Sequence, residues 1–309
     1  MGIPNPKPRL ALIAGPTASG KTALALQLAK SRDIVIINAD SAQVYADLPV
    51  LSAQPTLDER NDVPHTLYGY LKGESACSSA RWANDAKKEI TAAHQAGAIP
   101  VVVGGTGLYL RTLLQGIAPI PEIDPIVRAN VRSMDLADAF AALHANDPQI
   151  AETLEPTDRS RICRALEVLE STGRSIAAWR MEISGGIANE VDLHPLLLLP
   201  PRDWLYKRCD DRFDAMIASG AVEEVASLIY RGLPQDAPVM RAIGVPQISA
   251  MLAGALSLEE AVARGKIATR QYAKRQFTWF KNQCPAAWPR WNEEINDSNL
   301  HKIETLLQL

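Results

Sequence analysis

Four short apolar runs stand out along the chain: Leu10 to Ala14, Ile34 to Ile37, Ile99 to Val103 and Leu196 to Leu199. Each has strand length and is bounded by turn residues, and none alternates with polar positions, so both faces of such strands are expected to be buried. The first three are separated by stretches of helical character. Lys21 to Ser31 is built from strong helix formers, and Ser79 to Ala96 reads as a helix stopped by Gly97. Strands joined by crossover helices predict an α/β fold with a parallel sheet.

From about Pro119 to Asp192 the strand-like runs vanish, and Val131 to Ala145 and Arg159 to Ser171 read as helices. After the fourth strand, helices are expected over Asp203 to Arg231 and Ser257 to Phe280, followed by a short amphipathic tail. The predicted organisation is an α/β core of residues 1–118 and 193–309, interrupted by a helical insertion over 119–192. A set of long surface helices within one domain is the alternative.

The 309 residues are 47% hydrophobic, enough for a sizeable core, and the formal net charge is −3. A polyanion would therefore have to meet a local basic patch and not the overall field. Such a patch exists. Ala261 to Trp291 holds no Asp or Glu but contains Arg264, Lys266, Arg270, Lys274, Arg275, Lys281 and Arg290. Lys266, Arg270 and Lys274 are four apart, a stripe on one helix face suited to phosphates. The interleaved Tyr272, Phe277, Trp279 and Phe280 are expected to be core. Cys77, Cys163, Cys209 and Cys284 lie far apart, without zinc-ligand or disulfide-framework spacing. No run has the length of a membrane span, so a cytoplasmic protein without a membrane partner is expected.

Gly15-Pro16-Thr17-Ala18-Ser19-Gly20-Lys21-Thr22 follows the first strand and opens a helix, the context that makes G-x-x-x-x-G-K-[ST] a phosphate-binding loop, or P-loop. Its N–H groups and the helix N-terminus favour phosphate oxygens, Lys21 should neutralise charge, and the Thr22 hydroxyl should hold Mg²⁺. The third strand ends in Val103-Gly104-Gly105-Thr106, with no acid of the kind that holds Mg²⁺ in ATP-hydrolysing loops. Asp40, Ser41 and Gln43 lie just past the second strand, at the edge where open α/β sheets bind ligands. Asp40 could accept a proton or hold a metal there, or simply cap a turn.

GPTASGKT, INADSAQVY, VVVGGTGLYLRTLLQGI, DRSRICRALEVLESTG, RAIGVPQ and ATRQYAKRQFTWF occur in this order. Together they resemble the tRNA dimethylallyltransferases, also called tRNA isopentenyltransferases. The resemblance implies a P-loop, nucleoside-kinase-like core and transfer of a dimethylallyl group from dimethylallyl diphosphate to N6 of the adenosine 3′ of the anticodon. It implies Mg²⁺ as cofactor, a tRNA anticodon stem-loop as partner, the insertion as an RNA-contacting lobe, and a monomer. The P-loop would then hold the leaving diphosphate, with Thr17 and Arg212 beside it and Asp40 as general base. On spacing alone Arg212 could instead pair with Asp210 or Asp211.

By the same resemblance, RNA contacts fall to Asp40, Ser41, Ala42, Gln43, Thr106, Arg128, Arg161, Arg164, Arg241, Gly244 and Gln247, joined by Lys274 and Arg275 of the basic helix. Val245 and Pro246 depart from the tyrosine and arginine common at those places in the family. A small-molecule or nucleotide kinase, a prenyltransferase acting on free adenine nucleotides, and an RNA-binding switch without covalent chemistry are the competing readings. None of them accounts as well for the acid-free basic helix.

Overall fold

A computed structural model describes residues 6–309; residues 1–5, which the expected core included, lie outside the described residues. The strands in chain order are β1 Arg9–Ala14, β2 Ile34–Asn38, β3 His65–Thr66, β4 Ile99–Gly104, β5 Gly116–Ile117, β6 Ser184–Gly185, β7 Asp192–Leu198 and β8 Arg290–Trp291. Six form one sheet in the order β3-β2-β4-β1-β7-β8, and every pairing in it is parallel. The four long strands are the four apolar runs of the sequence. In the central strand β1, Leu10 to Ala14 are all at most 2% exposed, which explains why no polar alternation appears there.

Helices α1 Lys21–Ala29, α2 Leu57–Asp62, α3 Ser79–Gln95 and α4 Gly107–Gln115 accompany the first half of the sheet. The next five are α5 Pro125–Ser133, α6 Leu136–Asn146, α7 Pro148–Ala151, α8 Arg159–Thr172 and α9 Ile176–Arg180. After β7 come α10 Arg202–Ala218, α11 Ala221–Tyr230, α12 Val245–Leu252, α13 Leu258–Gln283 and α14 Leu300–Thr305. No helix among the described residues is long and apolar enough to cross a membrane.

The chain divides into two compact units, one running to Leu113 and resuming at Ala188, the other Leu114–Ile187. The second unit has its own core of Ile123, Val131, Leu143, Ile162 and Leu166. A two-residue antiparallel ladder, Gly116–Ile117 against Ser184–Gly185, lies near its two ends. Sequence reading put the edges several residues later, because runs this short carry no periodicity.

In the first unit, sheet topology gathers three loops at the C-terminal ends of β1, β2 and β4. The ends of β2 and β4 are also bonded to each other: Ala39 N–H donates to Val103 O at 2.8 Å, and Thr106 N–H to Ala39 O at 3.1 Å. Gly104 permits this approach, since a β-carbon there would stand 2.2 Å from the Ala39 carbonyl. Gly104→Ala should therefore destabilise the protein by about 3 kcal/mol, the scale of an overpacked core site, read as a lower urea midpoint.

Candidate active site

The P-loop turns from β1 into α1 through Ala18 and Gly20, both at positive φ. The Lys21 ammonium folds over this turn, donating to the carbonyls of Gly15 at 3.0 Å and Pro16 at 2.7 Å. Burial lowers its pKa to about 8; Asp40 pulls it back up and the Arg212 guanidinium pushes it further down. Arg212, on α10, donates from Nη2 to Thr17 Oγ1. Burial likewise lowers its pKa, against the upward pull of Cys209 and Asp40. Two recessed cations thus face one carboxylate.

The alternative pairing of Arg212 is absent. Asp210 accepts from Arg270 at 2.6 Å, and Asp211 from Lys207 at 2.7 Å. This also corrects the expected phosphate-facing stripe on α13. Lys266 is paired with Asp214 at 2.7 Å and Arg270 with Asp210, because that face of α13 packs on α10. Lys274 and Arg275 remain exposed. Of the interleaved aromatics, Phe280 is fully buried, while Tyr272 lines a cavity.

Beyond β2, a buried amide builds the Asp40 turn. Asn38 Oδ1 accepts the Asp40 N–H at 2.8 Å, while its Nδ2 donates to Asp40 O and Leu67 O, each at 3.0 Å. Asp40 Oδ1 then accepts the Ala42 N–H at 3.0 Å. Thr106 Oγ1 accepts the Ser41 N–H at 2.9 Å and so ties the β2 loop to the β4 loop. Sequence reading passed over Asn38, although a polar residue ending a buried apolar strand was an available signal.

Two cavities open here. One, about 380 Å³, is more apolar than polar, with Tyr45, Leu51, Phe213, Met216 and Ile243 on its wall beside Asp40, Arg212 and Arg241. The other, about 500 Å³, contains the P-loop from Thr17 to Thr22. Thr17, Asp40 and Arg212 line both. Ser19 Oγ, in the second, is buried without a hydrogen-bond partner among the described residues, as expected of a wall built for a polar ligand. No cluster of three His, Cys, Asp or Glu side chains suited to a metal occurs among the described residues. Thr22 and Asp40 nonetheless put hard oxygen donors on this cavity, which fits a cation that keeps much of its water shell and binds through substrate phosphates.

The remaining predicted residues separate into three settings. Ser41, Ala42, Arg241 and Arg275 line the apolar cavity. Gln43 spends its Nε2 on Ser52 O at 3.0 Å and Ala53 O at 2.6 Å, and Gln247 Oε1 accepts the Gly244 N–H at 3.1 Å, so both amides hold backbone. The departures Val245 and Pro246 are absorbed locally. Val245 is fully buried, and Pro246 lies in the first turn of α12, where a missing N–H costs nothing.

Arg128, Arg161 and Arg164 belong to the second unit. There Arg161 pairs with Asp158 at 3.3 Å and Arg164 with the buried Glu167 at 3.7 Å, while Arg128 Nε is buried without a partner among the described residues. Sequence reading also missed Glu224, whose carboxylate accepts the N–H groups of Val50 at 2.7 Å and Leu51 at 2.8 Å. It fixes a loop that lines the apolar cavity, and no spacing in the sequence announces it.

The match to known proteins agrees with this geometry. The family model described as IPP transferase matches residues 43–283. The chain belongs to the IPP transferase family. The tRNA dimethylallyltransferase of Sphingopyxis alaskensis is 58% identical over 93% of this chain and 94% of its own length. That of Novosphingobium aromaticivorans is also 58% identical, over 91% of this chain and 99% of its own. Among solved structures, the tRNA isopentenylpyrophosphate transferase of Bacillus halodurans is similar with a TM-score of 0.70 at 31% identity, covering 98% of this chain and 97% of that one. A eukaryotic dimethylallyltransferase acting on tRNA is similar with a TM-score of 0.76 at 31% identity, over 88% of this chain and 70% of that one.

In this IPP transferase, an anion entering the loop favours protonated Lys21 and raises its pKa. Binding of inorganic diphosphate should therefore take up protons near pH 8 and weaken as pH rises through that value, where free Lys21 loses its charge. Calorimetry in buffers of different ionisation enthalpy measures this uptake.

Proposed function

We propose that the chain transfers the dimethylallyl group of dimethylallyl diphosphate to N6 of the adenosine immediately 3′ of the anticodon in tRNA, releasing diphosphate. The observation that carries this reading is the shared border of the two cavities: Thr17, Asp40 and Arg212 stand between a phosphate cradle and an apolar chamber. A donor with a charged head and an apolar tail would lie across that border, placing the bond that breaks beside Asp40, the one carboxylate among the described residues that lines both.

As the allylic C–O bond breaks, negative charge gathers on the diphosphate. Lys21, Arg212 and the residues at the start of α1 line the cavity where that charge would gather, and each could turn a donor to it. The apolar chamber keeps water from the cationic prenyl carbon. The N6 amine, a weak nucleophile because adenine delocalises its lone pair, forms the new C–N bond, and its proton passes to the Asp40 carboxylate. Mg²⁺, held by Thr22 and the diphosphate oxygens, would supply further charge neutralisation.

An adenosine in an anticodon loop is unstacked enough to enter such a chamber, whereas a base within a helix is not. Lys274 and Arg275, exposed on α13, are suited to the RNA backbone; in the second unit Arg128, Arg161 and Arg164 would add cations, with RNA phosphates displacing Asp158 and Glu167 as partners of the last two. A kinase reading has no comparable support, since nothing about a phosphoryl transfer calls for the apolar chamber. The reaction would be carried out by a monomer in the cytoplasm.

Asp40→Asn preserves the side chain's size and its acceptor for the Ala42 N–H but cannot take a proton. It should lower kcat by about 10²–10⁴-fold while leaving the affinity for an anticodon stem-loop within about twofold, measured by single-turnover kinetics and RNA titration. An undiminished rate would remove Asp40 as the base.

A further inference from the structure

Gln276, on α13, is a buried and fully bonded polar side chain that the proposed chemistry leaves unused. It is 6% exposed. Its Oε1 accepts the Thr17 N–H at 2.8 Å, and its Nε2 donates to Gly105 O at 2.8 Å. One amide therefore closes the gap between the P-loop and the end of β4, and it must present an acceptor to one side and a donor to the other. An ionised carboxylate has no donor, and an apolar side chain would leave the half-buried Thr17 N–H and the buried Gly105 carbonyl without this partner.

The surrounding chain is shaped for this group. A β-carbon at Gly105 would come within 2.3 Å of Nε2, so the absence of a side chain at that position leaves the space the amide occupies. Thr17 is held from two directions, at its N–H by Gln276 and at its hydroxyl by Arg212. Tyr272, one turn earlier on α13, lines the cavity beside Asp40. The helix that carries Lys274 and Arg275 thus also fixes the loops after β1 and β4.

We propose that Gln276 is a positioning residue that sets Thr17, and through it the diphosphate cradle, from helix α13. This rests on the reading of the P-loop as a diphosphate site. Gln276 touches no reacting atom; it acts on the backbone from which Thr17 and Ala18 meet the ligand. Its effect should fall on donor binding and on the orientation of the leaving group, not on RNA affinity.

Replacement by glutamate gives a particular signature. A buried glutamate has a raised pKa, and when protonated it offers one oxygen as acceptor and one O–H as donor, the same pattern as the amide. When ionised it sets negative charge against the Gly105 carbonyl. The defect of Gln276→Glu relative to the native protein should therefore shrink as pH falls from 8 to 6, whereas that of Gln276→Ala should not.

The test is calorimetric titration of the full chain with inorganic diphosphate and Mg²⁺, beside titration with an anticodon stem-loop. Gln276→Ala should bind diphosphate about tenfold more weakly, bind the stem-loop within about twofold of the native protein, and raise the donor KM more than the RNA KM. Gln276→Glu should recover diphosphate affinity at pH 6, and it supplies the comparison if Gln276→Ala does not fold. Native diphosphate affinity in both variants, an equal loss for the stem-loop, or a glutamate variant without pH recovery would overturn the inference while leaving the diphosphate reading intact. A native protein that binds no diphosphate would overturn both.

Discussion

Two recessed cations, Lys21 and Arg212, line one cavity with the Asp40 carboxylate where the parallel strands end. Burial disfavours both charges and, with a smaller push from Arg212, lowers the pKa of Lys21, so an entering anion is favoured. The cluster exists because parallel pairing of β1 and β2 with β4 brings three loops, distant in sequence, to one edge. An anion that leaves a reacting group while gathering charge gains more from such a site than one that merely binds, since only interactions stronger in the transition state accelerate a reaction.

Buried amides hold the arrangement. Asn38 shapes the turn that presents Asp40, and Gln276 joins the P-loop to the end of β4. Each has both its donor and its acceptor engaged, and an amide so satisfied in a low-dielectric interior specifies one geometry. On the surface, the same helices divide their charge: Arg270 and Lys266 are neutralised by α10, leaving Lys274 and Arg275 for an outside partner.

The four long strands were legible in the sequence because they are continuous apolar runs, whereas the two-residue edge strands β3 and β8 carry no such pattern; the P-loop was legible because its glycines, Lys21 and Thr22 fall between a strand and a helix. Asp40 was legible from its place after β2. The partners of α10 were not: Asp210, Asp211 and Arg212 are adjacent in sequence, and only the packing of α10 on α13 decides that Arg270 takes Asp210 while Arg212 turns to Thr17. Asn38, Glu224 and Gln276 escaped notice because a buried amide or carboxylate is recognised by what it bonds, and those partners lie as far as 259 residues away along the chain.

The central claim is that the P-loop serves a departing prenyl diphosphate and not ATP. Mass analysis of the nucleosides of an unmodified tRNA, after incubation with the protein, Mg²⁺ and either dimethylallyl diphosphate or ATP, tests it most directly. The account predicts an adenosine 3′ of the anticodon heavier by one dimethylallyl group with the prenyl donor and no change with ATP. Unchanged tRNA from a folded protein given the prenyl donor, or a phosphorylated product given ATP, would contradict it.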